Sequence, residues 1–262
     1  MRLPYLYLLL MLQLSACLTM AQHKPKGMVK IPSGNLQDTF VEAFYMDKTP
    51  VTVQQYRQFV KKTAYKTVAE RVGSASVYDF KAQKWVLRKG ASWEYPLGKH
   101  FPKAAAKHPV TQVAWKDAQA YCRWANKRLP SVLEWEYAAR NGQPNTQLYP
   151  WGNDLVVNHK YKANCWQGTF PSMNLMKDGF RFTSPVGFYG ASAIGLSDLA
   201  GNVWEWTVDE IRVDGLIEKV QKGGSFMCEK TVCHGYQISG KTSASPESSL
   251  FHVGFRAVRT IE

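Results

Sequence analysis

Beyond its first fourteen residues the sequence holds no apolar run long enough to cross a bilayer, so no later segment is expected to be a membrane span. It has no internal repeat, no low-complexity block and no Pro/Gly-rich linker, which argues against a solenoid or a string of modules and for one domain. The formal charge is +13, yet no nucleic-acid recognition motif accompanies it. The Lys and Arg are scattered apart from pairs such as Lys61-Lys62 and Arg88-Lys89, the pattern of a solvated face; no nucleic-acid partner is expected. Cysteine is scarce: Cys17, Cys122, Cys165, Cys228 and Cys233 are all there is among 262 residues. Aromatic residues are not scarce, and nine Trp must find places in packing or in a groove.

The N-terminus differs from the rest. Arg2 precedes the apolar stretch Leu3–Leu14, too short for a comfortable span and of the length of a secretory h-region. Leu14-Ser15-Ala16-Cys17 resembles a bacterial lipobox with Cys17 as the lipidated residue; a cut after Ala21 is the weaker alternative. Residues 1–21 are therefore expected to be a signal peptide and the start of a tether, 22–27 the tether, and 28–262 the domain. The expected location is export, as a lipoprotein of a bacterial periplasm or outer membrane. Removing Cys17 to a lipid leaves four cysteines, an even number that suits disulfides in an oxidising compartment.

Along the domain, Met28–Pro32 predicts a strand ending at a turn over Pro32-Ser33-Gly34-Asn35, and Phe44–Asp47 predicts a second strand. Thr52 can cap a helix whose Tyr56, Phe59 and Val60 share a face. Residues 64–108 show no clean period and predict irregular structure anchored by Trp85 and Trp93. Trp115–Lys127 predicts an amphipathic helix with Ala118, Tyr121, Cys122 and Ala125 on one stripe. Ser131-Val132-Leu133-Glu134 is a capping box that opens the next helix, and Asn141-Gly142 ends it. The remainder is loop-rich with short strands. The fold class is α+β with little regular secondary structure.

Three segments carry more specific information. The first is Lys127-Arg128-Leu129-Pro130-Ser131, continued by Glu134–Arg140 and Tyr149-Pro150-Trp151-Gly152-Asn153. The second is Gly195–Thr207, with Gly201-Asn202-Val203-Trp204-Glu205-Trp206 at its centre. The third is Gly223-Gly224-Ser225-Phe226-Met227-Cys228, closed by Gly254-Phe255-Arg256. In this order they resemble the formylglycine-generating enzyme (sulfatase-modifying factor) family over about Met28 to Val258. The resemblance implies a C-type-lectin-like fold and copper-dependent oxidation, by O2, of a substrate-protein cysteine to formylglycine. The implied partner is an unfolded sulfatase or sulfatase-like protein carrying Cys-x-Pro-x-Arg; the chain is expected to be a monomer.

Cys228 and Cys233 are five residues apart, so a helix would point their thiols apart, whereas a loop or bent strand can bring them together. Spacing alone favours a local disulfide. The resemblance reverses that, because the catalytic family places its copper-binding cysteine pair after Gly-Gly-Ser with this separation; two soft thiolates suit Cu(I). By the same resemblance Ser225 and Trp93 match active-site positions, against their plainer roles as a turn hydroxyl and a core ring. Two Ca²⁺ sites are implied: one from the side chains of Asn164 and Asp178 with the carbonyls of Cys165 and Phe180, the other from Asp198 and Glu205 with the carbonyls of Gly201 and Val203. Hard oxygen donors from loops are what Ca²⁺ takes.

The sequence also departs from the family. The stretch His234–Lys241 lacks the several arginines common there, which bears on substrate recognition. Phe251-His252-Val253 stands where a small polar residue often precedes Gly-Phe-Arg. Ala257 occupies the position of a cysteine that pairs with Cys122 in some relatives, so Cys122 and Cys165 are expected to be free. A non-catalytic, membrane-tethered binding module of the same fold is the alternative. An iron-dependent sulfur oxidase lacks support, since no His-rich motif is present.

Overall fold

A computed structural model describes residues 25–231 and 233–261. The apolar N-terminal segment and Cys17 lie outside the described residues. Among the described residues no helix is long and apolar enough to cross a membrane.

The chain opens with strands β1 (Met28–Ile31), β2 (Gly34–Leu36), β3 (Thr39–Val41) and β4 (Phe44–Asp47). Helices α1 (Val53–Thr63) and α2 (Val68–Val72) precede the hairpin β5 (Ser74–Asp79) and β6 (Lys84–Lys89). Helices α3 (Trp115–Trp124) and α4 (Val132–Ala139) are followed by the short pair β7 (Val156–Val157) and β8 (Lys160–Tyr161). The last third contributes β9 (Trp204–Val213), β10 (Leu216–Lys222), β11 (Lys241–Ala244), β12 (Val253–Gly254) and β13 (Val258–Thr260).

Two sheets organise these elements. In the first, β4 lies between β1 and β13, antiparallel to both, so the beginning and end of the domain are joined. All four residues of β4 are buried, as expected of a central strand. In the second, the order is β11-β10-β9-β12, with β12 parallel to β9. The Trp204–Thr207 half of β9 is buried, and its remainder extends outward with β10.

Local chemistry sets the helix starts. Thr52 and Ser131 each accept a hydrogen bond from the N3 backbone, and the N3 side chains Gln55 and Glu134 bond back to the cap. Helix α1 buries Val53, Tyr56 and Phe59 against Tyr121 of α3, whose ring stacks on Tyr56 at 5.8 Å. Each such apolar ring taken out of water contributes about 1.5–3 kcal/mol.

Three expectations need correction. Gly34 and Asn35 belong to β2 and not to a turn. Gly34 is a glycine because a Cβ there would overlap the Tyr137 hydroxyl. Helix α3 ends at Trp124, short of Lys127, because Asn126 takes a left-handed φ of 54°. Residues 64–108 are not irregular throughout: α2 and the β5–β6 hairpin lie inside them. Trp93, 5% exposed, does anchor this region, whereas Trp85 is 46% exposed on the hairpin. The hairpin is held by Ala75 and Val77, which pack with Ala69, Ala91, Phe226 and Phe251. Phe226 and Phe251 flank the cysteine loop and the Gly-Phe-Arg segment, so this small core fixes the hairpin over them.

Candidate functional site

The Gly223-Gly224-Ser225 segment follows directly on β10 and turns the chain sharply. Gly224 has φ 71°, and a Cβ on it would lie 2.5 Å from the backbone nitrogen of Tyr236. Only glycine permits that approach, and it brings the strand exit against the chain just beyond Cys233. Cys228 N–H donates to the Ser225 carbonyl at 2.9 Å, and Cys233 N–H donates to the Glu229 carbonyl at 2.8 Å. The Cys228 carbonyl accepts from Trp166 N–H at 3.0 Å, which pins the loop to the rest of the domain.

These turns bring the two thiols together, in a loop and not a helix. Cys228 is 3% exposed and Cys233 half-buried, and both are free thiols, as are Cys122 and Cys165. The Cys228 thiol donates to the Cys233 sulfur, which lowers Cys233 to about 7; the Gly235 N–H adds to the effect. The same hydrogen bond, together with burial, pushes Cys228 up. Cys233 is therefore the sulfur that ionises first. Lys230 is exposed and outside the cleft, so the stabilisation of the thiolate comes from the partner thiol and a backbone amide. Ser225, fully buried, bonds the Cys228 sulfur and also accepts from Met227 N–H at 3.2 Å. The hydroxyl thus serves the turn and the sulfur at once.

The sulfurs lie at the edge of a cleft of about 220 Å³, smaller than the roughly 300–1,000 Å³ of a small-molecule pocket. Its walls are Tyr78, Trp85, Phe170 and Trp204, with Ser225, Glu229 and His252 as polar lining. Tyr78 meets Trp85 edge-on at 5.5 Å and Phe170 at 5.5 Å, and Trp85 lies 5.2 Å from the His252 ring. Burial lowers His252 to about 3, so its imidazole is neutral, and its Nδ1 has no hydrogen-bond partner. A cleft of this volume has room for about one side chain.

Trp93 does not line this cleft. It packs against Tyr56 at 5.6 Å in the main core, with Arg57 over its ring. The aromatic walls come instead from the β5–β6 hairpin, from the loop at Phe170 and from Trp204. Tyr78 and Phe170 were not anticipated as site residues. Tyr78 has one signal in the sequence, the Ser74–Asp79 alternation, in which Ala75 and Val77 turn inward and leave Tyr78 and its partner Trp85 to the cleft; Phe170, in a loop, has none.

Of the oxygen-rich sets, Asp178 lies against Cys165, Asp198 lies near Glu205, and the two sets adjoin where Asn164 meets Gly201. Asn164 bridges Gly201 in parallel fashion, and a Cβ on Gly201 would overlap the Asn164 carbonyl. The side-chain oxygen of Asn164 is buried with no hydrogen-bond partner, which fits a cation ligand. Asp178 accepts from Cys165 N–H at 2.9 Å, Gln167 at 2.7 Å and Phe180 N–H at 3.0 Å, and burial raises its pKa. The Cys165 carbonyl accepts from the Gln167 amide. Asp198, with φ 56°, accepts from Gly187 N–H at 2.6 Å, and burial pushes its carboxyl up to about 6. A cation there would relieve that cost. Glu205 is fully buried and already paired with Arg256 at 2.6 Å, so a cation at the second set would share it with the guanidinium. The donor types in both sets suit a hard ion. Among the described residues no group of three or more His, Cys, Asp or Glu converges, so backbone carbonyls and Asn164 would have to supply the remaining ligands.

A family model described as a sulfatase-modifying factor enzyme 1-like domain matches residues 17–261. The formylglycine-generating enzyme of Mus musculus is 38% identical over 248 residues, 82% of this chain and 66% of that protein; the chain spans about two thirds of that relative's length. The formylglycine-generating enzyme of Thermomonospora curvata is 36% identical over 288 residues, 90% of this chain and 94% of that one. The inactive Cα-formylglycine-generating enzyme 2 of Bos taurus is 35% identical over 242 residues, 85% of this chain and 79% of that one. Among solved structures, PvdO from Pseudomonas aeruginosa superposes with a TM-score of 0.66 at 19% identity, covering 89% of this chain and 94% of that one. The fold is the α+β, C-type-lectin-like architecture that the sequence motifs imply.

Proposed function

We propose that this chain, which belongs to the sulfatase-modifying factor family, oxidises a cysteine of a sulfatase-type polypeptide to formylglycine at the Cys228–Cys233 cleft. The observation that supports this most is the meeting of two free thiols, one of them readily ionised, with a buried serine in a small aromatic cleft. The two sulfurs are the residues that would hold Cu(I): both are soft donors, they are within hydrogen-bonding reach of each other, and no disulfide ties them. Copper, when bound, would supply the electron chemistry with O2 that no side chain can perform.

The protein's own residues do the rest. Tyr78, Trp85, Phe170 and Trp204 enclose the incoming cysteine and exclude water. Ser225 holds the Cys228 sulfur in place. The neutral His252 adds a polar group without adding a charge.

The decisive experiment is to incubate copper-loaded protein and O2 with a peptide containing Cys-x-Pro-x-Arg, then to weigh the product and trap it with a hydrazide. An aldehyde in place of the thiol is expected: the cysteine loses two hydrogens to O2, which leaves as peroxide, and water hydrolyses the thioaldehyde with release of sulfide. Bound copper with no aldehyde on any cysteine peptide would remove the oxidase reading and leave the binding module.

We also propose that Ca²⁺ occupies the Asn164/Asp178 set and the Asp198/Glu205 set and orders loops that have little regular structure. An ion that binds only the folded state adds about 2.7 kcal/mol at a hundredfold excess over its dissociation constant. For a chain of this size that is roughly 5–10 °C in Tm. Chelator should lower Tm by this amount and Ca²⁺ restore it, with Asn164→Ala abolishing part of the response. Identical melting curves with chelator and with Ca²⁺ would count against both sets.

A further inference from the structure

The cations that look scattered along the sequence are not all scattered in space. A groove of about 1470 Å³ runs beside the β5–β6 hairpin. Lys66 and Arg71 reach it from the flanks of α2, Lys89 from the end of β6 and Lys99 from the loop that follows. The acids nearby are committed elsewhere. Glu70 accepts from the backbone and hydroxyl of Thr67 at 2.9 Å, and Glu94 pairs with Lys103 at 3.0 Å. Arg88, also on the groove, is paired with Asp79 at 3.3 Å. Lys66, Arg71, Lys89 and Lys99 form no ion pair among the described residues. Like charges gathered on one concave surface repel, and an anion seated there relieves the repulsion.

The groove is also connected to the cleft. Arg88 and Phe101 wall both the groove and a second depression; that depression is walled in turn by Tyr78, which lines the cleft. The register of the hairpin, with Ser74 opposite Lys89 and Tyr78 opposite Trp85, puts Lys89 on the same face as the two cleft rings, so that face runs from the groove towards the sulfurs. The floor at Ala69 and Ala91 is made of small buried side chains, which leave room for a polypeptide backbone.

We propose that this groove binds an acidic segment of the same polypeptide whose cysteine enters the cleft. The inference rests on the cleft being the site for a cysteine-bearing chain. Two linked contacts raise affinity beyond either alone when the connecting segment spans them. About ten extended residues reach roughly 35 Å, enough to follow the hairpin.

The test uses the full chain and three fluorescent peptides: one with a Cys-x-Pro-x-Arg segment, one with a Glu-rich segment and no cysteine, and one joining the two. Binding is read by anisotropy at low and high salt. The joined peptide is expected to bind the wild type at least tenfold more tightly than the cysteine peptide at low salt, with the gain shrinking as salt rises. The triple variant Lys66→Glu, Lys89→Glu, Lys99→Glu should lose that gain and keep its affinity for the cysteine peptide. All three positions are exposed, and an unchanged melting curve confirms that folding is intact. A gain that survives charge reversal, or no gain in the wild type, overturns the proposal. So does a sulfated oligosaccharide that displaces the Glu-rich peptide and binds the groove more tightly. Failure of the cysteine peptide alone to bind or react strikes the cleft instead, because the Glu-rich peptide reports on the groove independently.

Discussion

Cys228→Ser and Cys233→Ser are each expected to abolish Cu(I) binding and with it all oxidation, whereas Cys122→Ser and Cys165→Ser should bind copper like the wild type. The asymmetry follows from geometry. Cys228 and Cys233 hydrogen-bond to each other at the edge of the cleft. Cys122 is buried on α3 and Cys165 is buried beside Asp178; burial pushes both thiols up, so neither is a ready ligand. One thiolate cannot provide a two-coordinate site, and a serine hydroxyl is a hard donor that Cu(I) does not favour. Loss of an outer-shell partner typically costs 10–100-fold in metal affinity. Loss of one of only two ligands should cost more, at least about a thousandfold. A competition titration against a chromophoric Cu(I) chelator reads this for all four variants. Retained affinity in either Cys228→Ser or Cys233→Ser would mean that the copper is held elsewhere. Ser225→Ala belongs in the same series. It should keep the copper stoichiometry, since no ligand is lost, but loosen the Cys228 sulfur, and so report on positioning alone.

The parts of this molecule that were legible in its sequence are those decided locally. Helices α1 and α4 begin where Thr52/Gln55 and Ser131/Glu134 form capping boxes, because a cap depends on residues three positions apart. The end of α4 at Asn141-Gly142 is similarly local: both residues take left-handed φ values, 61° and 68°. The hairpin β5–β6 was not legible. Trp85 and Leu87 face outward from it and Lys and Arg interrupt it, so its alternation makes sense only once Phe226 and Phe251, far along the chain, close over Ala75 and Val77. The site divides in the same way. The cysteine pair and Ser225 stand within one short segment, where spacing and motif expose them. The cleft walls arrive from three distant segments, and Trp93, which the motif suggested, packs in the core against Tyr56.

Removing either partner of the Arg256–Glu205 pair should destabilise the fold by about 3–5 kcal/mol, the cost of leaving one buried charge unpaired. Both side chains are fully buried. Arg256 donates through Nε and Nη2 to the two carboxylate oxygens of Glu205 at 2.6 and 2.7 Å, and its Nη2 also donates to the Ser197 carbonyl at 2.8 Å. Glu205 accepts as well from Trp135 Nε1 at 2.7 Å. One ion pair thus joins helix α4, the Gly195–Thr207 segment that opens β9, and the closing Gly-Phe-Arg, one from each of the three motifs. Arg256→Leu leaves the Glu205 carboxylate facing Asp198 with no cation, and Glu205→Leu leaves a guanidinium among carbonyls. The double variant Arg256→Leu/Glu205→Leu removes both charges, so it should lose less than the sum of the single variants, the deficit measuring their coupling. Arg256→Lys keeps the charge but not the two-pronged geometry and should fall between wild type and Arg256→Leu. Urea unfolding in chelator reads these values free of any contribution from Ca²⁺ at Glu205. Strict additivity of the two single losses would show that the pair acts as two independent packing residues. A double variant more stable than the wild type would show that the buried pair itself costs stability.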